Sequence, residues 1–312
     1  MTFSSSVREE LAHLEINKPC CALSELSALI RTCAIIKIGQ KQKIGIRFET
    51  ENPSTARRIF NIIKFLYDYH CEVSAKKMDK LRNGHFYMVS LNDSSATNKI
   101  LKDTGMMKEN ENIFTMSKEI PQGLLSSRCC AKSFLRGCFL GCGSMGDPNK
   151  SYHLEFDVHD KPLADTIHSL LRGFELNARI TLRKTLYVIY IKEAENIIAL
   201  FSLIGAHSSL LKMENIMILK EVRNNVNRAM NFENANSNKT VDAAQRQLQS
   251  IRKLEKAGKL KTLPQSLREA AELRMEYPES TLGELSEISG NITKSGMNHR
   301  MRRIVELAKK FK

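Results

Sequence analysis

Two stretches decide the fold: Pro19-Cys-Cys-Ala-Leu-Ser-Glu-Leu-Ser-Ala-Leu-Ile-Arg-Thr-Cys33 and Arg128-Cys-Cys-Ala-Lys-Ser-Phe-Leu-Arg-Gly-Cys-Phe-Leu-Gly-Cys142. They align without gaps at an offset of 109 residues, so Leu26 meets Leu135, Ala28 meets Gly137 and Cys33 meets Cys142. An offset this constant marks an internal repeat, and a repeat fixes the architecture before any local reading does. The apolar spacing, with small residues interspersed, predicts helices over Cys20–Ile38 and Cys129–Gly143.

The chain downstream of each stretch also matches in kind. After the first come an alternating strand, Lys43–Thr50, and a helix, Pro53–Tyr69, with Ile59, Ile62, Ile63 and Leu66 on one face. Strands near Cys71–Lys76 and His85–Leu91 are joined through Arg82-Asn83-Gly84, a hairpin signal. After the second come Tyr152–Val158, a helix from Pro162 to Arg172, and strands Ala178–Arg183 and Leu186–Ile191. Each half reads helix–strand–helix–strand–strand–helix. The expected class is α+β: two pseudo-symmetric half-domains, 1–125 and 126–229, then a linker, 230–240, and an all-α domain, 241–312.

This pattern resembles the LAGLIDADG homing endonucleases. Leu135-Arg-Gly-Cys-Phe-Leu-Gly-Cys-Gly143 carries the likeness best, and Leu26-Ser-Ala-Leu-Ile-Arg-Thr-Cys-Ala34 is its weaker partner. The resemblance implies two motif helices packed at a pseudo-two-fold axis, with small residues allowing close approach. In active members the eighth motif position is an acid that holds divalent metal. Here those positions are Cys33 and Cys142. Magnesium wants hard oxygen ligands, and a thiol near its ordinary pKa of ~8.5 is a soft donor. The sixth positions, Arg31 and Leu140, offer no acid, and Asp147 has Ile38 at its equivalent place. No catalytic residues are expected, and Cys33 and Cys142 stand as vestigial acid positions. The nuclease relatives bind DNA on a basic saddle of strands. Here Lys41, Lys43, Arg47, Lys76, Lys77, Arg179, Arg183 and Lys184 are interrupted by Glu49, Glu155 and Asp157, so the body is expected to bind DNA poorly.

Gly141-Cys-Gly143-Ser-Met-Gly146 matches a dinucleotide fingerprint but follows a helix and precedes a strand, the wrong context. The eight cysteines form no C-x-x-C pair, and Cys138-x-x-x-Cys142 comes nearest. They read as small buried hydrophobes, so no cofactor and no metal are expected. No run approaches the ~20 apolar residues of a membrane span, and Met1–Glu15 lacks a secretory apolar core. The expectation is a soluble, cytoplasmic, nucleoid-associated monomer.

The 312 residues carry a formal charge of +14, so an anionic partner is expected. Half of that charge lies in Lys239–Lys312, and Gly290–Lys312 alone carries +6. Helices are expected over Val241–Ala257 and Pro264–Tyr277. Thr281-Leu-Gly-Glu284 is a capping-box pattern opening a short helix with Leu282, Leu285 and Ile288 inward. Ser289-Gly290-Asn291 turns the chain into a last helix, Lys294–Lys310, with Met297, Met301, Ile304, Val305 and Ala308 inward. Short helix, glycine turn and basic helix make a helix-turn-helix, whose second helix enters the major groove of double-stranded DNA. Asn298 is suited to adenine, and Arg300 or Arg302 to guanine. Lys294, Ser295 and Arg303 are suited to phosphates, and His299 to either.

A degenerate LAGLIDADG body with such a tail resembles the WhiA family of bacterial regulators, most specifically through Asn291-Ile-Thr-Lys-Ser-Gly-Met-Asn-His-Arg-Met-Arg-Arg303. The resemblance implies a transcriptional regulator linked to sporulation and cell division, not an enzyme. It also implies a small iron–sulfur protein partner in some members. An interaction scaffold on DNA and an active endonuclease are the competing readings.

Overall fold

The computed structural model describes residues 2–38, 44–77, 85–110 and 113–310. The chain divides into two compact units, Met1–Lys220 and Glu221–Lys312.

The first unit is built on the two repeat helices. They are α2 (Pro19–Cys33) and α6 (Arg128–Cys142), preceded by α1 (Phe3–Ala12). Proline at the first turn starts α2, and the Ser127 side chain accepts from the Cys130 amide to start α6. The two helices pack on each other along their length. Their approach is too close for a larger side chain at two glycines: a Cβ on Gly137 would lie 2.5 Å from the Glu25 carbonyl oxygen, and one on Gly141 would overlap Thr32 Oγ1. Between them Ser24 Oγ donates to the Cys130 carbonyl at 2.8 Å.

Each repeat helix runs straight into a strand. The expected helix Cys20–Ile38 stops at Cys33, and Ala34–Ile38 forms β1. Its β-branched Ile35, Ile36 and Ile38 favour the extended chain. β1 pairs with β2 (Ile44–Thr50) from Ala34 opposite Phe48 to Ile38 opposite Ile44. Then come α3 (Pro53–Tyr67), β3 (Glu72–Lys77), β4 (His85–Leu91), α4 (Ser94–Asp103), β5 (Met107–Asn110), β6 (Ile113–Met116) and α5 (Gln122–Leu125). The second half repeats the theme with β7 (Gly143–Met145), β8 (Leu154–Val158), α7 (Lys161–Gly173), β9 (Arg179–Arg183), β10 (Leu186–Ile191) and α8 (Ala194–Ile204). The antiparallel sheets are ordered β1-β2-β4-β3 and β7-β8-β10-β9, the same topology twice. The expected α+β class with two pseudo-symmetric halves is what the structure shows. The hairpin residues Arg82-Asn83-Gly84 lie outside the described residues, as do Lys41 and Lys43.

One buried polar group ties the halves together. The Glu25 carboxylate on α2 takes a bidentate pair from Arg58 of α3, at 2.8 and 2.9 Å, and a bond from Arg136 of α6 at 3.3 Å. Glu25 and Arg58 are almost wholly buried, so neither tolerates loss of the other. At the N-terminus, Ser4 Oγ donates to the Met145 carbonyl and accepts from its amide, tying α1 to β7. Glu10 of α1 accepts from the amides of Ser208 and Ser209, at the start of the next helix.

That helix, α9 (His207–Lys256), contains residues 230–240, expected as a linker from their asparagines and serines. They are helical. Between Gly205 and Gly258 the chain has neither glycine nor proline, and Asn or Ser costs only a few tenths of a kcal/mol in a helix. The second unit then adds α10 (Gln265–Glu276), α11 (Leu282–Ser289) and α12 (Lys294–Ala308). Their core holds Ile251, Leu254, Leu267, Leu285, Met297, Met301 and Ile304. Ile288, expected inside, is 47% exposed. Arg274 is buried, accepted by Gln247 Oε1 at 3.1 Å and by the Ser280 carbonyl, which fixes the loop leading into α11.

Candidate nucleic-acid interface

The geometry of α11 and α12 is set by their caps. Thr281 Oγ1 accepts from the Glu284 amide at 3.2 Å, and the Glu284 carboxylate accepts from the Thr281 amide at 2.6 Å, closing the capping box. Gly290 ends α11 at φ 68°, a left-handed position that suits glycine. Ser286 Oγ donates to the Ile292 carbonyl across the turn. Thr293 then caps α12 by accepting from the Gly296 amide at 3.2 Å. With Met297, Met301, Ile304 and Ala308 buried, the opposite face of α12 is held outward.

That face presents Lys294, Ser295, His299, Arg302 and Arg303 to solvent, with Asn298 half-exposed beside them. Lys294, Ser295, Asn298, His299 and Arg302 make no hydrogen bond or ion pair among the described residues. Arg303 has a partner one turn on, Glu306 at 3.3 Å. Arg300 is placed differently from the rest. It is half-buried and donates to the Ser266 carbonyl of α10 at 3.1 Å, which holds it against the domain.

The strands of the body carry mixed charge. Arg47 is paired with Glu49 at 2.7 Å, and Arg183 approaches Glu155 at 3.7 Å. Lys76, Lys77 and Arg179 are exposed on β3 and β9.

The vestigial acid positions lie at the C-terminal ends of α2 and α6. The Cys33 thiol donates to the Leu29 carbonyl and the Cys142 thiol to the Cys138 carbonyl, each at 3.2 Å. Burial pushes Cys33 up to about 12 and Cys142 higher still, the latter helped by Cys33 and Asp157 nearby. Both are neutral thiols at physiological pH. Arg8 of α1 reaches this end, donates to the Gly143 carbonyl, and lies within electrostatic range of Cys142, Glu51 and Cys33. A fixed guanidinium repels the divalent cation that two carboxylates would attract.

At the opposite end of the same helices, Cys20, Cys21, Cys129 and Cys130 converge, their sulfurs all within 4.8 Å of one another. Reading them as separate buried hydrophobes does not hold for Cys20 and Cys129, which are exposed. Linear spacing does not reveal the group, because its two pairs are 109 residues apart and meet only across the pseudo-dyad.

Comparison with known proteins adds three family matches: the WhiA N-terminal LAGLIDADG-like domain over residues 19–107, the WhiA LAGLIDADG-like domain over 131–223, and the WhiA C-terminal helix-turn-helix domain over 226–308. The chain is 45% identical to the probable cell division protein WhiA of Alkaliphilus metalliredigens (strain QYMF), over 99% of this chain and 98% of the relative. It is 40% identical to the protein of the same description from Clostridium acetobutylicum, over 100% and 99%. The crystal structure of full-length DUF199/WhiA from Thermatoga maritima superposes with a TM-score of 0.61 at 26% identity, covering 100% of this chain and 99% of that one.

Proposed function

The chain belongs to the WhiA family, and on that basis we propose that it is a sequence-specific regulator that binds double-stranded DNA through α12 and does not cut it. The observation that carries this reading is the outward face of α12, where Lys294, Ser295, His299 and Arg302 are unengaged among the described residues while the helix itself is fixed from behind. The description of its relatives as cell division proteins makes division genes the class of target we propose. Among the described residues no helix is long and apolar enough to cross a membrane. We place the protein at the nucleoid.

The roles divide by chemistry and by what each side chain already does. Arg302 is free to form the two-pronged contact with guanine, and Asn298 the contact with adenine. Lys294 and Ser295, in the first turn, suit phosphate, where the helix N-terminus adds its own amides. Arg303 suits phosphate after release from Glu306. Arg300, proposed from sequence as a guanine reader, is better placed to brace α12 against α10.

Non-cleavage is supported by the neutral thiols at positions 33 and 142 and by the Arg8 guanidinium beside them. Mg²⁺-dependent hydrolysis needs a metal-held water of lowered pKa, and neither motif helix places a carboxylate at the position that would hold the metal.

Binding isotherms on the cognate site test the division. Arg302→Ala should cost about 1–3 kcal/mol and relax the preference at one base pair, whereas Lys294→Ala should weaken all sequences alike and flatten the salt dependence by about one unit. Equal, sequence-independent losses from both variants would remove Arg302 from the reading role.

A further inference from the structure

The four cysteines at the N-terminal ends of α2 and α6 make a group that DNA binding does not use. Each helix contributes an adjacent pair in its first turn, Cys20-Cys21 and Cys129-Cys130. Every sulfur lies within 4.8 Å of every other, and none is in a disulfide. Four thiolates around one zinc ion, at a Zn–S distance of about 2.3 Å, stand about 3.8 Å apart in a tetrahedron. The difference is about an ångström.

We infer that Cys20, Cys21, Cys129 and Cys130 form a tetrathiolate site for one soft divalent cation, zinc above all, shared equally by the two halves of the body. Sulfur donors exclude magnesium and calcium, which require oxygen. The shell is suited to hold the resulting charge. The four cysteines lie in the first turns of two helices, whose positive dipole ends favour thiolate over thiol. Ser127 Oγ is 3.2 Å from Cys129 Sγ. Lys18 adds a positive charge near Cys129. Cys20 and Cys129 are exposed, giving an ion a way in, while Cys130 is buried.

Ionising four sulfurs this close together without a cation would place like charges side by side, so protons hold the empty group. A divalent ion replaces those protons: loading releases the remaining thiol protons to solvent, forms four metal–sulfur bonds and changes no oxidation state. The bound ion would clamp two helices whose cysteines are 109 residues apart, so it would staple the two halves.

The test uses the full chain, purified with a phosphine reductant and without chelator. Elemental analysis should find about one zinc per chain, as expected of a closed four-sulfur site. The stripped chain titrated with Co²⁺ should show the charge-transfer and visible bands of tetrahedral tetrathiolate cobalt, bleached by Zn²⁺. Cys20→Ser with Cys129→Ser should lose both signals, whereas Cys33→Ser with Cys142→Ser should keep them. A readout independent of variant folding is alkylation of the wild type, with zinc protecting Cys20 and Cys129 and chelation exposing them. Three results would overturn the site: no stoichiometric zinc before or after reconstitution; stoichiometric iron, which makes it a cluster site; or an intact mass in fully loaded buffer showing disulfides between these cysteines.

Discussion

The two ends of the α2–α6 pair carry the same residue type and opposite chemistry. At the N-terminal end four cysteines sit in the first turns of the two helices, and Cys129 is drawn down to about 7, chiefly by hydrogen bonds from Ser127 and Cys21. At the C-terminal end Cys33 and Cys142 face helix carbonyls, which accept from thiols and repel thiolates, and burial pushes Cys33 up to about 12. One end holds a thiol drawn toward ionisation, and the other holds two thiols kept neutral. The contrast shows why a cysteine in an acid's place does not inherit the acid's function, even when the backbone frame around it is kept.

Both ends depend on the helices keeping register, and Glu25 sits between them. Glu25→Ala should have the largest effect, leaving Arg58 buried without its carboxylate and costing about 3–5 kcal/mol. Urea unfolding followed by circular dichroism measures it, since the chain has no tryptophan. A loss under ~1 kcal/mol would mean the triad is not what holds the two ends together. The contrast itself is read by alkylation of the metal-free chain near pH 8. With thiol pKa values near 7 and near 12, the thiolate fractions differ by about four orders of magnitude. The lower nucleophilicity of the more acidic thiol takes back about half of that on a logarithmic scale. Cys129 should therefore be modified about a hundredfold faster than Cys33, as read by peptide mass spectrometry. Equal rates would erase the distinction between the ends.

Much of this was legible in the sequence because repetition is visible at any distance: the constant offset placed both motif helices and the paired cysteines at 33 and 142, and the matching order behind them placed three strands of each sheet. The helix-turn-helix was legible because its caps, Thr281 with Glu284 and Gly290, are local chemistry. The features that stayed hidden were set by tertiary contact or by the absence of a signal. β1 succeeds α2 at Ala34 with no turn residue to mark the change. The first helix, α1, carries Phe3, Val7 and Leu11 at helical spacing behind a Thr2 cap, a signal too short to stand out. Arg300 sits among exposed neighbours in sequence, but its guanidinium is taken by Ser266, 34 residues earlier. The tail's asparagines suggested a break that no glycine or proline enforces. The four-sulfur group is a product of the pseudo-dyad, which no linear spacing rule describes.

The central claim is that DNA is read by the tail and left intact by the body. The direct measurement is a selection from a random-sequence double-stranded library by the intact chain in Mg²⁺, run beside an Arg302→Ala, Lys294→Ala variant and read by end-to-end sequencing. The predicted result is one enriched sequence from the wild type, recovered at full length, and little or no enrichment from the variant. Enrichment undiminished in the variant, or wild-type products broken at a fixed position within the enriched sequence, would contradict it.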